Sequence, residues 1–325
     1  MIPQDYITAW SRVAPWANQR QIEQDLIISR ALVAIFSDPF LHGELRFRGG
    51  TALNKLHFLA PLRYSEDIDL VRTTAGPISP LLDCLHGILD PWLGKPRFDQ
   101  SPVAPKLKYT VEAEDGDSPS PIRLKIEINT RERESYDPPI EIPFGVENPW
   151  FTGEAAIPTF SREEMLATKL RALLQRNKGR DLFDLGHALT VFEGLNTARI
   201  VECFRLYLEK AEHAISRAEA QQRMFQKLVN PTFFTDMRPL LQTDRARVLT
   251  DGMLKATFVR VMKQLSQCCR ARIAVGREIE RMPIRSAQPQ PFGGWRVAGV
   301  QRRQWLVPHQ HHEVRLRSPG RRSRV

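Results

Sequence analysis

Apolar residues at Ile22, Leu26, Ile27, Ala31 and Leu32 recur at helical spacing and predict an amphipathic helix over Arg20 to Phe36. The period then shortens. Leu45 to Arg48 reads as a short strand entering Gly49-Gly50, Thr51 to Phe58 as a helix ended by Pro61, and Ile68 to Arg72 as a second strand. The Pro- and Gly-rich run Gly76 to Pro80 predicts a loop, followed by an apolar helix around Leu81 to Leu89. Lys106 to Glu112 and Ile122 to Asn129 both alternate across the polar segment Glu114 to Pro121, as the arms of an antiparallel hairpin do. In the second arm Leu124, Ile126 and Ile128 share one face, and Arg123, Lys125, Glu127 and Asn129 share the other.

Arg131 to Pro158 is rich in proline and marks a change of texture. Beyond it the pattern is helical. Ser161 with Glu164 forms a capping box ahead of a helix over Glu163 to Arg176, Lys178-Gly179 interrupts it, and Asp181 opens the next. Further helical periods cover Thr197–Leu208, Ser216–Lys227, Asp244–Thr250 and Gly252–Ala274. The pattern therefore predicts an α+β protein: a mixed sheet with flanking helices over residues 1–155, then an all-helical domain over 156–280. Residues 281–325 show no period, and are expected to be a disordered basic tail with the texture of an out-of-frame end.

Charge changes this picture less than its total suggests. The formal net charge is +10, but the last 45 residues hold 10 arginines, no lysine and one acid, Glu313. The first 280 residues hold 37 basic and 36 acidic side chains, so bulk charge gives no reason to expect a nucleic-acid partner for the folded body. No window approaches the ~20 apolar residues that span a bilayer, and the start MIPQDYITAW has no secretory pattern, so a cytoplasmic protein is expected. Cys84, Cys203, Cys268 and Cys269 fit no zinc spacing and read as reduced, mostly buried thiols. His309, His311 and His312 sit in the aperiodic tail, where a short histidine tract binds metals without specificity.

The chemistry concentrates in FRGGTALNKLHFLAPLRYSEDIDLV, Phe47 to Val71. Backbone amides converging at Gly49-Gly50-Thr51 can hold a phosphate with no side chain in the way. Asp67 and Asp69, two apart on a strand, project to one face, where a divalent cation would relieve their repulsion. Glu127 offers a third carboxylate on another strand. A plainer reading makes Gly49-Gly50 an ordinary turn with Thr51 as N-cap, and SEDID a solvated edge. Joined by one helix, and with Glu127 beside them, the two features form the ligand set that two-metal phosphoryl transfer needs.

A second constellation is KLRALLQRNKGRDLFDL, Lys169 to Leu185. Lys169, Arg176 and Arg180 lie close to one helical face if the helix continues past Gly179, and clustered cations suit a triphosphate or an RNA backbone. A structural reading stands beside this one: Asp181 caps the following helix, Asp184 sits in its first turn, and the cations complement the preceding C-terminus.

Together FRGGTALNKLH, RYSEDIDL, KIEIN and KLRALLQRNKGRDLFDL resemble the AbiEii/AbiGii-type nucleotidyltransferase toxins of the DNA polymerase beta-like superfamily, over roughly Arg20 to Phe192. The resemblance implies a helical domain closing over a nucleoside triphosphate cradled by Gly49, Gly50 and Thr51. It implies magnesium, in a two-metal site, on Asp67, Asp69 and Glu127, with Glu127 as ligand or base at the acceptor hydroxyl. Lys169 would contact the triphosphate, Arg180 and Asp181 would complete the helical motif, and Asp184 would be structural. The implied activity is transfer of a nucleoside monophosphate to transfer RNA, as the toxin of an abortive-infection pair with a separate antitoxin protein. The competing expectations are a metal-dependent nuclease or phosphodiesterase, which needs the acids but not the cradle, and a catalytically idle relative that only binds an antitoxin or nucleic acid.

Overall fold

The computed structural model describes residues 2–101, 103–114, 121–213 and 215–267. The tail, the histidine cluster, Cys268 and Cys269 lie outside them.

The chain opens with α1 (Gln4–Trp10) and α2 (Gln19–Phe36), whose cap Asn18 accepts a hydrogen bond from the Arg20 amide. Then come α3 (Pro39–Glu44), β1 (Leu45–Arg48) and α4 (Gly49–Ala52), which runs on as one π-helical turn, Leu53–His57. Next are β2 (Asp67–Arg72), α5 (Ser79–Leu93), β3 (Arg97–Asp99), β4 (Lys106–Val111) and β5 (Ile122–Asn129). A hairpin follows, β6 (Ile140–Asn148) and β7 (Phe151–Thr159). The remainder is helical: α6 (Arg162–Gln175), α7 (Gly179–Val191), α8 (Thr197–Lys210), α9 (Arg217–Leu228), α10 (Pro231–Thr235), α11 (Thr243–Val248) and α12 (Asp251–Gln267).

The strands form one seven-stranded sheet in the order β3-β4-β5-β2-β1-β7-β6. It is mixed, as expected: β2 runs parallel to β5 and β1 parallel to β7, while the other neighbours are antiparallel. The parallel register sets Asp67 against Lys125 and Asp69 against Glu127. One strand apart, β1 sets Arg48 against Asp69. Alternation does what it predicts: Ile68, Leu70, Leu124, Ile126 and Ile128 are buried, and the charged residues between them face the other side. The helix α2 packs on β5, β6 and β7 and meets α5, which closes the apolar side.

Two local expectations change. The stretch Arg131 to Pro158, read as a proline-rich crossing, contains the β6–β7 hairpin. Pro143 is admissible because β6 is the edge of the sheet, where a missing N–H breaks no ladder on its outer side. Glycine replaces threonine at the start of the turn helix. The helix begins at Gly49, not Thr51, and the Thr51 hydroxyl donates to the Asp67 carbonyl and shares a hydrogen bond with the Ser65 hydroxyl instead of capping.

The helical part is tied to the segment between the turn and the acids. Tyr64 N–H donates to the Leu240 carbonyl at 2.7 Å, and Arg245 reaches the Leu62 carbonyl at 3.3 Å. Among the described residues no helix is long and apolar enough to cross a membrane.

Candidate active site

The backbone at Gly49 has φ +89°, a left-handed conformation open to glycine at no steric cost. The close approach is as demanding as the dihedral. A Cβ on Gly49 would lie 2.2 Å from Asp69 Oδ2, so strand β2 presses its carboxylate directly on the turn. A Cβ on Gly50 would lie 2.5 Å from Arg63 Nη2 and 3.2 Å from Lys169 Nζ. The turn is therefore bare on one side and packed against an acid and two cations on the other. Gly50→Ala must displace the Arg63 guanidinium and should destabilise the fold by about 1–3 kcal/mol. A urea midpoint unchanged from the parent would contradict this packing.

A cleft of about 190 Å³ opens beside the turn. Gly49, Gly50, Asp69 and Glu127 line it from the sheet, and Thr168, Lys169, Arg171 and Arg176 from α6 and its end. The expected turn, two of the three acids and the expected lysine thus share one space. Asp67 stands on the same strand face, two residues from Asp69, outside that lining. Arg180 also lies outside it, in the first turn of α7 near Asp236. Thr51 is buried behind the turn.

Burial raises the Asp69 carboxyl above the usual carboxylate range, and the neighbouring Asp67 and Glu127 push in the same direction, against Lys125 and Arg48. All three donors are carboxylate oxygens, the donor type a hard divalent cation takes. Among the described residues no three such groups close around one point. Lys125 stands among the carboxylates as a monovalent cation, its ammonium 3.1 Å from Asp67 Oδ2 and 3.5 Å from Glu127 Oε2, and the Lys106 ammonium lies 3.6 Å from Glu127 Oε2. The residues present fit a divalent metal in the chemistry of their donors.

Lys169 is buried and already paired. Its ammonium is 2.8 Å from Asp184 Oδ2 and 3.3 Å from Asp181 Oδ1. Asp181 neither caps α7 nor lines the cleft. It accepts Arg176 Nε at 2.7 Å and Nη2 at 2.8 Å, while the amide of Gly179 donates to Asp236 at 3.1 Å. Burial would raise the Asp181 carboxyl, but Lys169 and Arg176 outweigh it and hold it low. Asp184 accepts two bonds of 2.7 Å from Arg63. Burial opposes its charge, yet Arg63 and Lys169 pull its pKa down to about 2. Asp184 is thus held wholly in buried ion pairs, and its partner Arg63 carried no signal in the sequence.

A second unexpected network stands at the mouth. Glu132 accepts Arg48 Nη1 at 2.8 Å and grips Arg171 through Nη1 at 2.5 Å and Nη2 at 2.9 Å. Burial notwithstanding, these arginines lower the Glu132 pKa to about 2. Arg171 also lies over the Tyr207 ring, 4.9 Å from its centroid. The result is two oriented guanidinium groups beside the Gly49-Gly50 turn. Sequence spacing could not find them, because Arg48, Glu132 and Arg171 come from three unconnected elements.

Residues 30–259 match the family described as "Nucleotidyl transferase AbiEii toxin, Type IV TA system". No curated protein matches the sequence. Among solved structures, the chain is similar in fold to MenT4, a nucleotidyltransferase toxin of Mycobacterium tuberculosis. The TM-score is 0.58 and the identity 17%, covering 82% of this chain and 90% of that one. A looser likeness, with TM-score 0.44 and 16% identity, links it to JHP933 of Helicobacter pylori over 78% of this chain and 95% of the other. Because the family match runs through the turn, the acids and the helical motif alike, the chain belongs to the AbiEii family of nucleotidyltransferase toxins and is a nucleotidyltransferase of a toxin–antitoxin system.

Proposed function

We propose that this toxin uses magnesium to transfer a nucleoside monophosphate from a nucleoside triphosphate to a hydroxyl of RNA, with transfer RNA the first acceptor to test. The observation that carries the reading is the contact of Gly49 with Asp69 beside Lys169, which sets a bare-amide turn against an acid in a cleft lined by cations.

In this reading the amides of Gly49, Gly50 and Thr51 hold the triphosphate, and Lys169, Arg171 and Arg176 neutralise its charge from the α6 side. Asp181 acts through Lys169 and Arg176, fixing where their charges stand. Arg180 contributes to the field from the start of α7. The acceptor oxygen bonds to the α-phosphorus, and the bond from that phosphorus to the β-phosphate oxygen breaks. Pyrophosphate leaves with the electron pair, and the hydroxyl proton passes to Glu127 or to solvent. Asp67, Asp69 and Glu127 would hold magnesium, one ion or two, which supplies charge neutralisation at the leaving group and acidifies the acceptor hydroxyl.

The test is incubation of the protein with total RNA, magnesium and each labelled nucleoside triphosphate in turn. Labelled RNA is the expected product, and RNA cleavage without any need for nucleoside triphosphate would favour a nuclease. Arg171→Ala removes one charge-assisted contact and should raise KM for the triphosphate about tenfold or more. Steady-state kinetics showing an unchanged KM would remove Arg171 from the phosphate site.

A further inference from the structure

A second cleft, of about 730 Å³, opens past the C-terminal ends of β2 and β5. Arg72, Arg131 and Arg133 line it with the ring of Phe98, and among the described residues none that lines it is acidic. Arg72 is spoken for, by Glu44 and the carbonyls of Gly76 and Pro77. Arg131 and Arg133 are different. Their guanidinium groups have no hydrogen-bond or ion-pair partner among the described residues. Phe98 is 41% exposed, a large ring left open on strand β3. The first 280 residues are close to charge-neutral, so two arginines with no partner among the described residues, in a cleft whose described lining holds no acid, are not a consequence of bulk composition.

The two clefts are lined by consecutive residues at the end of β5. Asn129 lines the catalytic cleft, and the next two residues, Thr130 and Arg131, line this one. Glu127 and Arg131 are four residues apart, at most about 13 Å at the rise of an extended chain. We propose that this second cleft is the seat of the acceptor, a single-stranded RNA end. Its phosphates meet Arg131 and Arg133, one base stacks on Phe98, and its terminal hydroxyl is led along β5 to Glu127 and Asp69. Cations that track a backbone, with an aromatic ring for a base, are the components of sequence-tolerant single-strand binding. An acidic protein would find the same charges, but it has no reason to seat beside the acceptor position of a transferase. The inference rests on the transferase reading above for the direction of the strand, while binding can be measured without it.

The experiment uses the full chain and a fluorescein-labelled single-stranded RNA of about 12 nucleotides, inside the footprint of such sites. Fluorescence anisotropy is recorded without nucleoside triphosphate over a series of salt concentrations. The Arg131→Glu/Arg133→Glu variant should bind at least about tenfold more weakly, and the slope of log K against log salt should fall by about 1.4 for two lost phosphate contacts. Phe98→Ala, at an exposed ring, should weaken binding roughly tenfold with the slope unchanged. Melting curves establish that each variant is folded, and the Phe98 variant serves if the charge reversal is not. RNA affinity and slope unchanged in folded variants overturn the proposal. So does RNA binding left intact while binding of poly-glutamate is lost, which makes the face a protein-docking surface. If the variants lose RNA binding but the parent labels no RNA, the cleft stands and the transfer reading fails. If the parent labels RNA and the variants do so with unchanged KM for RNA, the transfer reading stands and the cleft is overturned.

Discussion

Asp69→Ala, alone or with Asp67→Ala, is expected to abolish nucleotide transfer while leaving thermal stability at or above that of the parent. The two halves of this outcome have one cause. Asp69 is half-buried on a face it shares with Asp67 and Glu127, and its pKa is raised because desolvation and those neighbours all disfavour its charge. Removing it relieves repulsion in the metal-free protein. It also removes a carboxylate pressed on the Gly49 turn, where metal and triphosphate would meet. Loss of metal-assisted charge stabilisation should lower the rate on the order of 1000-fold or more. Circular-dichroism melting and incorporation of labelled nucleotide into RNA measure the two halves separately. Residual transfer by the purified double variant at near-parent rate would sink the assignment, and a collapse of the fold would show that the acids are structural.

Asp184→Ala should be the most destabilising single change around the site, costing about 3–5 kcal/mol, the range for removing one partner of a buried ion pair. Arg63 and Asp184 are 1% and 0% exposed in their side chains, and their two bonds join the segment after the turn to α7. Without Asp184 the Arg63 guanidinium stays buried with no anion of its own, and Lys169 loses its shorter contact. The comparison that isolates this cause is Arg63→Met with Asp184→Leu. Replacing both charges by apolar side chains should recover much of the loss, since a missing partner costs more than a missing pair. Urea unfolding of the single and double variants decides it, and a double variant no better than Asp184→Ala would point to packing instead.

The same group predicts an acid limb. The pKa of Asp184 in the fold is about 2 against an ordinary 3.8, and that of Glu132 is about 2 against 4.5. Folded-state values below the unfolded ones mean that the unfolded chain binds protons first as the pH falls. The stability these groups contribute is fully present above about pH 4.5 and is lost progressively as the pH falls toward 2.

The longer helices and the strands β1, β2, β4 and β5 were legible because their signals are local, whereas the short helices α1, α3 and α10 were not read. Ile22 to Leu32 mark α2 by spacing, and Leu124, Ile126 and Ile128 mark β5 by alternation. The β6–β7 hairpin was not legible, since Pro143 and Pro158 argue against a central strand and only the strand order shows that β6 is an edge. At Ser161 the expected box is half formed. The Ser161 hydroxyl accepts the Glu164 amide, but the Glu164 carboxylate turns to the amides of Tyr136 and Asp137. A distant pair of donors won over the local one.

By itself the sequence determined the parts that chain connectivity brings together: the Gly49-Gly50 turn, the strand that sends Asp67 and Asp69 to one side, and the shared face of Glu127. Those follow from the periods of strand and helix, which depend only on neighbours along the chain. Only the tertiary structure decided what surrounds them. It set Lys125 between two of the acids and buried Lys169 on Asp181 and Asp184. It also closed Arg63 on Asp184 and gathered Arg48, Glu132 and Arg171 from three elements at the mouth. A lone charged residue carries no record of its partner in its own stretch of sequence, because ion pairing depends on distance in space and on burial, and both arise only when the elements pack.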